Sequence, residues 1–223
     1  PLTDPALPAR YHKGRLGNKK LCKLALQEQF GLEQRADVPI FAMVTRMTEQ
    51  KGFDLVERML DELMQYNDMQ FFMLGSGDRD YEQFMREAEQ RYKGRLCAFI
   101  GYNEELSHRV YAGADFLLMP SRFEPCGLSQ MIAMRYGAVP IVRRTGGLAD
   151  TVKSCQVGQE DGTGYLFESY DAGAMLDVIG QATGLYRGDR KGFDTVRHRG
   201  MTADFSWARS AGEYRHIYEK LLG

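Results

Sequence analysis

Two basic residues five positions apart, Arg46 and Lys51, are candidates to bind an anion together. They stand in a loop that follows a short apolar run and turns at Gly52. A lone surface cation is usually solvated, but two cations in one short loop favour charge-assisted binding of phosphate. The pair therefore predicts a phosphate clamp.

A carboxylate, Glu124, stands between Phe123 and Pro125 where a helix is expected to begin. It could simply complement the positive end of that helix. Gly127, however, leaves the backbone amides of the helix start open to a ligand. Glu124 is thus a candidate for direct contact with a bound molecule.

An aromatic residue and a glycine pair extend this set. Tyr102 follows a strand and a glycine, so it is either a rim aromatic or a platform that stacks on a base. Thr145, Gly146 and Gly147 form either a tight strand-to-helix turn or a turn whose amides approach an anion, and both interpretations stay open. The run 75–77 begins like a dinucleotide fingerprint, but it follows the second strand and has no third glycine, which argues against a dehydrogenase.

These residues sit between elements that alternate in type. Short apolar runs predict strands over Ile40–Val44, Met69–Leu74, Leu96–Ile100, Phe116–Met119, Val139–Val142 and Gly164–Phe167. Amphipathic runs predict helices over 18–30, Phe53–Tyr66, Asp80–Tyr92, Glu104–Gly113 and Leu128–Tyr136, then over Asp171–Tyr186, Phe193–Met201 and Ser206–Leu221, with Ser206 as an N-cap.

This alternation indicates an α/β fold: a doubly wound, parallel, six-stranded Rossmann-like sheet with a C-terminal helical annex. In such sheets ligands bind at the carboxyl ends of the strands. The candidate residues all follow predicted strands, so one edge of the sheet is expected to carry the site.

Composition excludes several classes of function. Twenty-nine basic and thirty acidic residues leave a net charge of −1, which predicts neither a nucleic-acid nor a membrane partner. The four cysteines and four histidines lack metal-site spacing, so no metal is expected. Unpaired cysteines fit a cytoplasmic location. Because the sequence opens with Pro1, we expect a piece of a longer polypeptide.

The motifs resemble one family closely. Ser121–Gln130 (SRFEPCGLSQ) is typical of the bacterial glycogen synthase and plant starch synthase family, and so are Ala133–Gly137, Thr145–Val152, the loop 46–52 and Asp204–Trp207. The resemblance covers essentially the whole chain. It implies the C-terminal half of a two-domain GT-B fold, with residues 1–15 as the interdomain linker and 16–223 as the nucleotide-sugar-binding domain with its C-terminal helices.

The resemblance also implies an activity. The family transfers glucose, with retention, from ADP-glucose to the 4-OH of an α-1,4-glucan and requires no metal or other cofactor. The implied partners are ADP-glucose or ADP, the glucan and the N-terminal domain, and the implied location is the cytoplasm, or the plastid in a plant. Since the acceptor groove belongs to the N-terminal domain, this chain alone is expected to be inactive.

The resemblance also implies a role for individual residues of this sequence. The family's pattern assigns the diphosphate to Arg46 and Lys51, the base to Tyr102, the donor sugar to Glu124, the sugar hydroxyls to the backbone of Cys126, Gly127 and Leu128, and phosphate contact to Thr145 and Gly146. Arg46, Lys51 and Glu124 are the implied catalytic residues. Many related families place a ribose-binding glutamate where Ile132 stands, so the ribose contact is unassigned, with Gln130 as a possible substitute.

Two alternatives remain from the sequence. One is another GT-B transferase that uses UDP-glucose, although the residues after Glu124 argue against it. The other is a non-catalytic module that binds a nucleotide sugar or a glucan.

Overall fold

The predicted parallel sheet is confirmed in the computed structural model, which describes residues 1–155 and 161–222. Its strands are β1 (Ile40–Val44), β2 (Gln70–Gly75), β3 (Leu96–Ile100), β4 (Phe116–Met119), β5 (Val139–Arg143) and β6 (Tyr165–Phe167). They are all parallel, in the order β3-β2-β1-β4-β5-β6. The chain reverses its direction of winding between β1 and β4, which makes that boundary the switch point where ligands bind in such sheets.

Nine α-helices lie within the described residues: α1 (Gly17–Gln29), α2 (Phe53–Tyr66), α3 (Arg79–Arg91), α4 (Glu104–Gly113), α5 (Ser129–Arg135), α6 (Gly146–Thr151), α7 (Ala172–Gly188), α8 (Arg190–Thr202) and α9 (Trp207–Leu222). The predicted helices are present with ends shifted by a few residues. A 3-10 turn over Glu49–Lys51 was not predicted. Ser206 caps α9 as predicted, since its Oγ accepts a hydrogen bond from the Arg209 amide at 3.4 Å.

Helices cover both faces of the sheet because successive strand residues point to opposite sides. On β1, Phe41 and Met43 pack into the core beneath α2 and α7, whereas Ile40 and Ala42 pack into the core beneath α1 and α4. Every one of these four side chains is fully buried. The sequences of the strands are therefore mostly continuous apolar runs, as expected for a parallel sheet between two helical layers.

The first residues pack against this domain. Leu7 and Tyr11 are buried, and the Tyr11 hydroxyl donates to the Tyr136 carbonyl oxygen at 2.7 Å. Asp4 accepts a hydrogen bond from the Tyr136 hydroxyl and lies 2.9 Å from His108 Nδ1. This segment is therefore held by specific contacts on the side of α4 and α5.

The last helix stands apart from the core. No residue of α9 is buried, and the Trp207 side chain is 90% exposed. Across the described residues, the helices are too short or too polar to span a lipid bilayer.

Candidate functional site

Three loops interlock at the carboxyl edge of the sheet, after β1, β4 and β5. The Arg122 amide donates to the Gln50 carbonyl oxygen at 2.9 Å, and the Gly147 amide donates to the Glu124 carbonyl oxygen at 3.0 Å. Gly52 has a φ of 80°, and a Cβ there would lie 2.2 Å from the Pro120 carbonyl oxygen. Only glycine permits this approach, so the β1 loop is locked against the β4 loop.

Lys51 and Glu124 meet at this junction. Lys51 Nζ lies 2.5 Å from Glu124 Oε2, and Ser121 Oγ donates to the same oxygen at 3.2 Å. The side chains are only 16% and 8% exposed. Because β1 and β4 are neighbours, the residues that follow them flank the switch point, and little water remains to screen the pair.

A cleft of about 460 Å³ opens beside this junction, at the carboxyl ends of β1, β2 and β3. Two predicted site residues line it: Arg46, which is exposed, and Tyr102, whose ring is 86% exposed at the rim. The rest of the wall includes Thr45, Ser76, Ser107, His108, Tyr111 and Ile132. The cleft thus combines apolar surface with a few polar groups and one cation, as small-molecule sites do.

The other predicted residues lie in the neighbouring loops rather than in the cleft wall. Cys126 and Leu128 are exposed, and Gly127 adopts a φ of 74°. Thr145 precedes α6 without capping it through its side chain. The structure therefore brings Lys51, Glu124 and the turn at Gly146 together, with Arg46 and Tyr102 in the adjacent cleft.

Gln130 does not face the cleft. It is fully buried, and its Nε2 donates to the Gly127 carbonyl oxygen at 2.9 Å and to Thr151 Oγ1 at 3.0 Å. Gln130 therefore shapes the loop, which corrects its candidacy as a ribose contact. Ile132 does line the cleft and is 38% exposed.

Comparison with known proteins identifies the family. A family model described as glycosyl transferases group 1 matches residues 26–183. This chain belongs to that family. Among relatives of this group 1 transferase, the glycogen synthase of Geobacillus thermodenitrificans is 49% identical over 222 residues, which are 100% of this chain and 45% of the relative. The glycogen synthase of Bacillus subtilis is 43% identical, over 99% of this chain and 46% of the relative.

A solved structure supports the same family and fold. The catalytic domain of starch synthase IV from Arabidopsis thaliana, bound to ADP and acarbose, matches with a TM-score of 0.90 and 33% identity, over 99% of this chain and 46% of that one. The chain therefore has the C-terminal half of the GT-B fold and is of the glycogen synthase type. It spans slightly less than half the length of the relatives it matches.

Several residues at this edge of the sheet were not predicted. Arg143 braces the β4 loop, since its Nε donates to the Ser121 carbonyl oxygen at 2.9 Å. Arg122 lies 2.7 Å from Glu49, with its guanidinium 4.6 Å from the Tyr170 ring centre. Burial and the hydrogen bond to Asp54 raise the pKa of Tyr170 to about 12, so its hydroxyl stays protonated.

Sequence patterns give little signal for these contacts. Tyr170 lies far along the chain from Arg122 and Asp54 and belongs to no motif. His108 also lines the cleft and is half-buried. Within the described residues, no three His, Cys, Asp or Glu side chains are grouped so that they could hold a metal.

Proposed function

We propose that this chain binds ADP-glucose and supplies the donor half of a glycogen synthase that transfers glucose, with retention, to the 4-OH of an α-1,4-glucan. The observation that carries this proposal is the Lys51–Glu124 pair at the switch point, beside a cleft that holds Arg46 and Tyr102. The ADP bound to the related starch synthase supports the nucleotide.

The cleft suits the nucleotide. Tyr102 presents an exposed ring at the rim, where it stacks on the base. Arg46, in the loop after β1, holds the diphosphate. Ile132 places apolar surface where a ribose-binding acid would otherwise stand, so the neighbouring hydroxyls of Ser107 and Ser129 take the ribose contact.

The loop junction suits the sugar and the leaving group. As the bond between the glucose C1 and the diphosphate breaks, negative charge grows on the phosphate oxygen, and Arg46 and Lys51 stabilise it. Glu124 holds Lys51 in place and puts a carboxylate near the electron-poor C1. The acceptor oxygen bonds to C1 as the bond from C1 to the phosphate oxygen breaks, and its proton passes to that departing phosphate oxygen of ADP.

The remaining groups orient the sugar. The backbone of Cys126, Gly127 and Leu128 binds the glucose hydroxyls, and the turn at Thr145 and Gly146 contacts phosphate. Gly127 has the left-handed backbone that turns the loop toward the helix start.

The acceptor glucan is held by the other half of the enzyme. Without that half, no wall closes over the donor, and nothing places a 4-OH beside C1. Because positioning can supply roughly 7–11 kcal/mol of the lowering of the barrier, the isolated chain binds ADP but transfers no glucose.

Calorimetric titration of the chain with ADP and with UDP tests the proposal. ADP is expected to bind with a measurable dissociation constant and more tightly than UDP. Absence of ADP binding would refute the proposed donor site, and tighter binding of UDP would favour a UDP-sugar transferase.

A second candidate is a nucleotide-sugar-binding module without catalysis, because the cleft and the loop junction account for nucleotide binding by themselves. The enzyme and the non-catalytic module are distinguished by adding a complementary N-terminal half from a relative and measuring ADP release with ADP-glucose and a glucan primer. Transfer that appears only with both halves supports the enzyme, whereas ADP binding with no transfer supports the module.

A further inference from the structure

Tyr170 lies in the connection between β6 and α7, outside the wall of the donor cleft. Its side chain is half-buried. Its hydroxyl contacts Asp54 and the Glu49 carbonyl oxygen rather than Lys51 or Glu124. The proposed donor chemistry gives Tyr170 no task, yet its contacts reach both of the loops that carry the Lys51–Glu124 pair.

The hydroxyl of Tyr170 holds the turn that presents Lys51. It donates to Asp54 Oδ1 and lies 3.2 Å from the Glu49 carbonyl oxygen. Glu49 begins the 3-10 turn that ends at Lys51, and Asp54 lies in the first turn of α2, just after Lys51. The two acceptors therefore flank Lys51 along the chain. One hydroxyl thus fixes the backbone on both sides of this lysine.

The ring of Tyr170 faces two guanidinium groups that support the loop after β4. Those of Arg122 and Arg143 lie 4.6 and 5.6 Å from the ring centre, where the face of an aromatic ring attracts a cation. Arg143 donates through Nε to the Ser121 carbonyl oxygen at 2.9 Å and through Nη2 to the Arg122 carbonyl oxygen. Ser121 Oγ donates in turn to Glu124 Oε2 at 3.2 Å. The ring therefore packs against the support of the loop that orients Glu124.

The charges around Tyr170 are balanced within the protein. Arg122 lies 2.7 Å from Glu49 and 3.7 Å from Asp54. Arg143 directs its guanidinium to carbonyl oxygens of the loop after β4. Two cations and two carboxylates thus form a neutral cluster, which suits a support between loops better than a site for an anion.

We infer that Tyr170 is a positioning residue for the donor site: it fixes Lys51 and Glu124 at the separation that binds the donor diphosphate, without touching the donor. Its hydroxyl supports the Lys51 side of the junction, and its ring supports the Glu124 side. Small displacements matter here, since a misplacement of about 1 Å can cost an enzyme about 10²-fold in rate. This inference rests on the proposed function, because the diphosphate role of Lys51 is itself proposed.

Calorimetric titration with ADP compares Tyr170→Phe, which loses only the hydroxyl, with the native chain. The variant is expected to raise the dissociation constant about threefold to tenfold. Tyr66→Phe, the same change at an exposed tyrosine of α2, is the matched control and is expected to bind ADP normally. Normal affinity of Tyr170→Phe would overturn this inference and leave the proposed function standing. Absence of ADP binding by the native chain would refute both.

A double-mutant cycle separates positioning of the ion pair from a general loss of structure. In the background Lys51→Gln, Glu124→Gln both charges of the pair are replaced by neutral amides, so Tyr170→Phe is expected to cause no further loss of ADP affinity. In the background Arg46→Ala, which changes another part of the donor site, Tyr170→Phe is expected to cause its full loss. The same loss in both backgrounds would mean that Tyr170 acts on the fold as a whole, which would overturn the inference.

Amide hydrogen exchange tests the support of the junction without ADP. The Arg122 amide donates to the Gln50 carbonyl oxygen at 2.9 Å and joins the loops after β1 and β4, whereas the Val139 amide donates to the Asp115 carbonyl oxygen at 2.8 Å where β5 begins. In Tyr170→Phe the Arg122 amide is expected to exchange about tenfold faster, with Val139 unchanged. Equal acceleration at both amides would show a global loss of stability, and unchanged exchange at Arg122 would show that the hydroxyl does not hold the junction. Either result would overturn the inference.

Discussion

Lys51 Nζ and Glu124 Oε2 lie 2.5 Å apart, although 73 residues separate them in the chain. The contact exists because β1 and β4 are neighbours, which brings the loops after them to one point. Each residue had been assigned separately, Lys51 to phosphate and Glu124 to the sugar. The structure joins them, so a change at either residue removes the ion-pair partner of the other.

Loss of the Lys51–Glu124 ion pair is expected to lower the free energy of unfolding markedly. Lys51→Ala leaves a buried carboxylate without its cation, and breaking a buried ion pair costs about 3 kcal/mol or more. Urea unfolding measures the change. Lys153→Ala, which breaks an exposed pair with Asp161, is the matched control and is expected to lose much less stability. Equal losses in both variants would show that the Lys51–Glu124 pair contributes no more than a surface pair.

Arg46→Ala is expected to weaken ADP binding and leave stability unchanged. Arg46 is exposed in the cleft, so little folding energy depends on it. A hydrogen bond to a charged group contributes about 1.5–3 kcal/mol, which corresponds to a rise of about tenfold or more in the dissociation constant. Calorimetry checks this, with Arg58→Ala on the exposed face of α2 as control. Unchanged affinity would remove Arg46 from the donor site.

The four thiols are expected to differ sharply in reactivity. Burial raises the pKa of Cys97 to about 12 and that of Cys155 to about 11, and it raises the pKa of Cys22 as well. The thiolate is the reactive form, so these three residues stay unreactive at pH 8. Cys126 is exposed in the β4 loop. A thiol reagent should therefore label Cys126 first, and the fast phase should vanish in Cys126→Ser. Survival of that phase would contradict the burial pattern.

Asp115 predicts how stability depends on pH. Burial opposes its ionisation, yet Lys23 and Arg197 hold the pKa of its carboxyl below the usual value. Its contribution to stability is therefore present above the unfolded-state pKa, near 4, and is lost as the pH falls through the lower folded-state pKa. Asp115→Asn is expected to cost about 3–5 kcal/mol at pH 7.

Urea unfolding between pH 7 and pH 3 checks the sign. The variant should lose less stability than the native chain over this interval, because the titrating group is gone. Asp177→Asn, at an exposed position of α7, should follow the native chain. Parallel curves for the native chain and Asp115→Asn would contradict the assignment.

The sheet and most helices could be predicted because buried parallel strands appear as apolar runs between amphipathic segments. Phe116–Met119 is such a run and lies where predicted. The 3-10 turn over Glu49–Lys51 could not be predicted in this way, since three residues carry no periodicity.

Contacts between distant loops also could not be predicted from local sequence patterns. The Lys51–Glu124 contact depends on the strand order, and the Arg122–Tyr170 contact depends on where α7 begins. Gln130 shows the opposite error: its polar type suggested a ligand contact, but its side chain is buried where it supports Gly127.

The central claim is that ADP binds at the carboxyl edge of the sheet. An amide shift map of the ¹⁵N-labelled chain titrated with ADP tests it most directly. Shifts are expected in the five loops that follow β1 to β5, at Arg46, Ser76, Tyr102, Glu124 and Gly146, with no change at Gly17, which lies at the opposite edge of the sheet. Shifts confined to other surfaces, or no shifts at saturating ADP, would contradict the account.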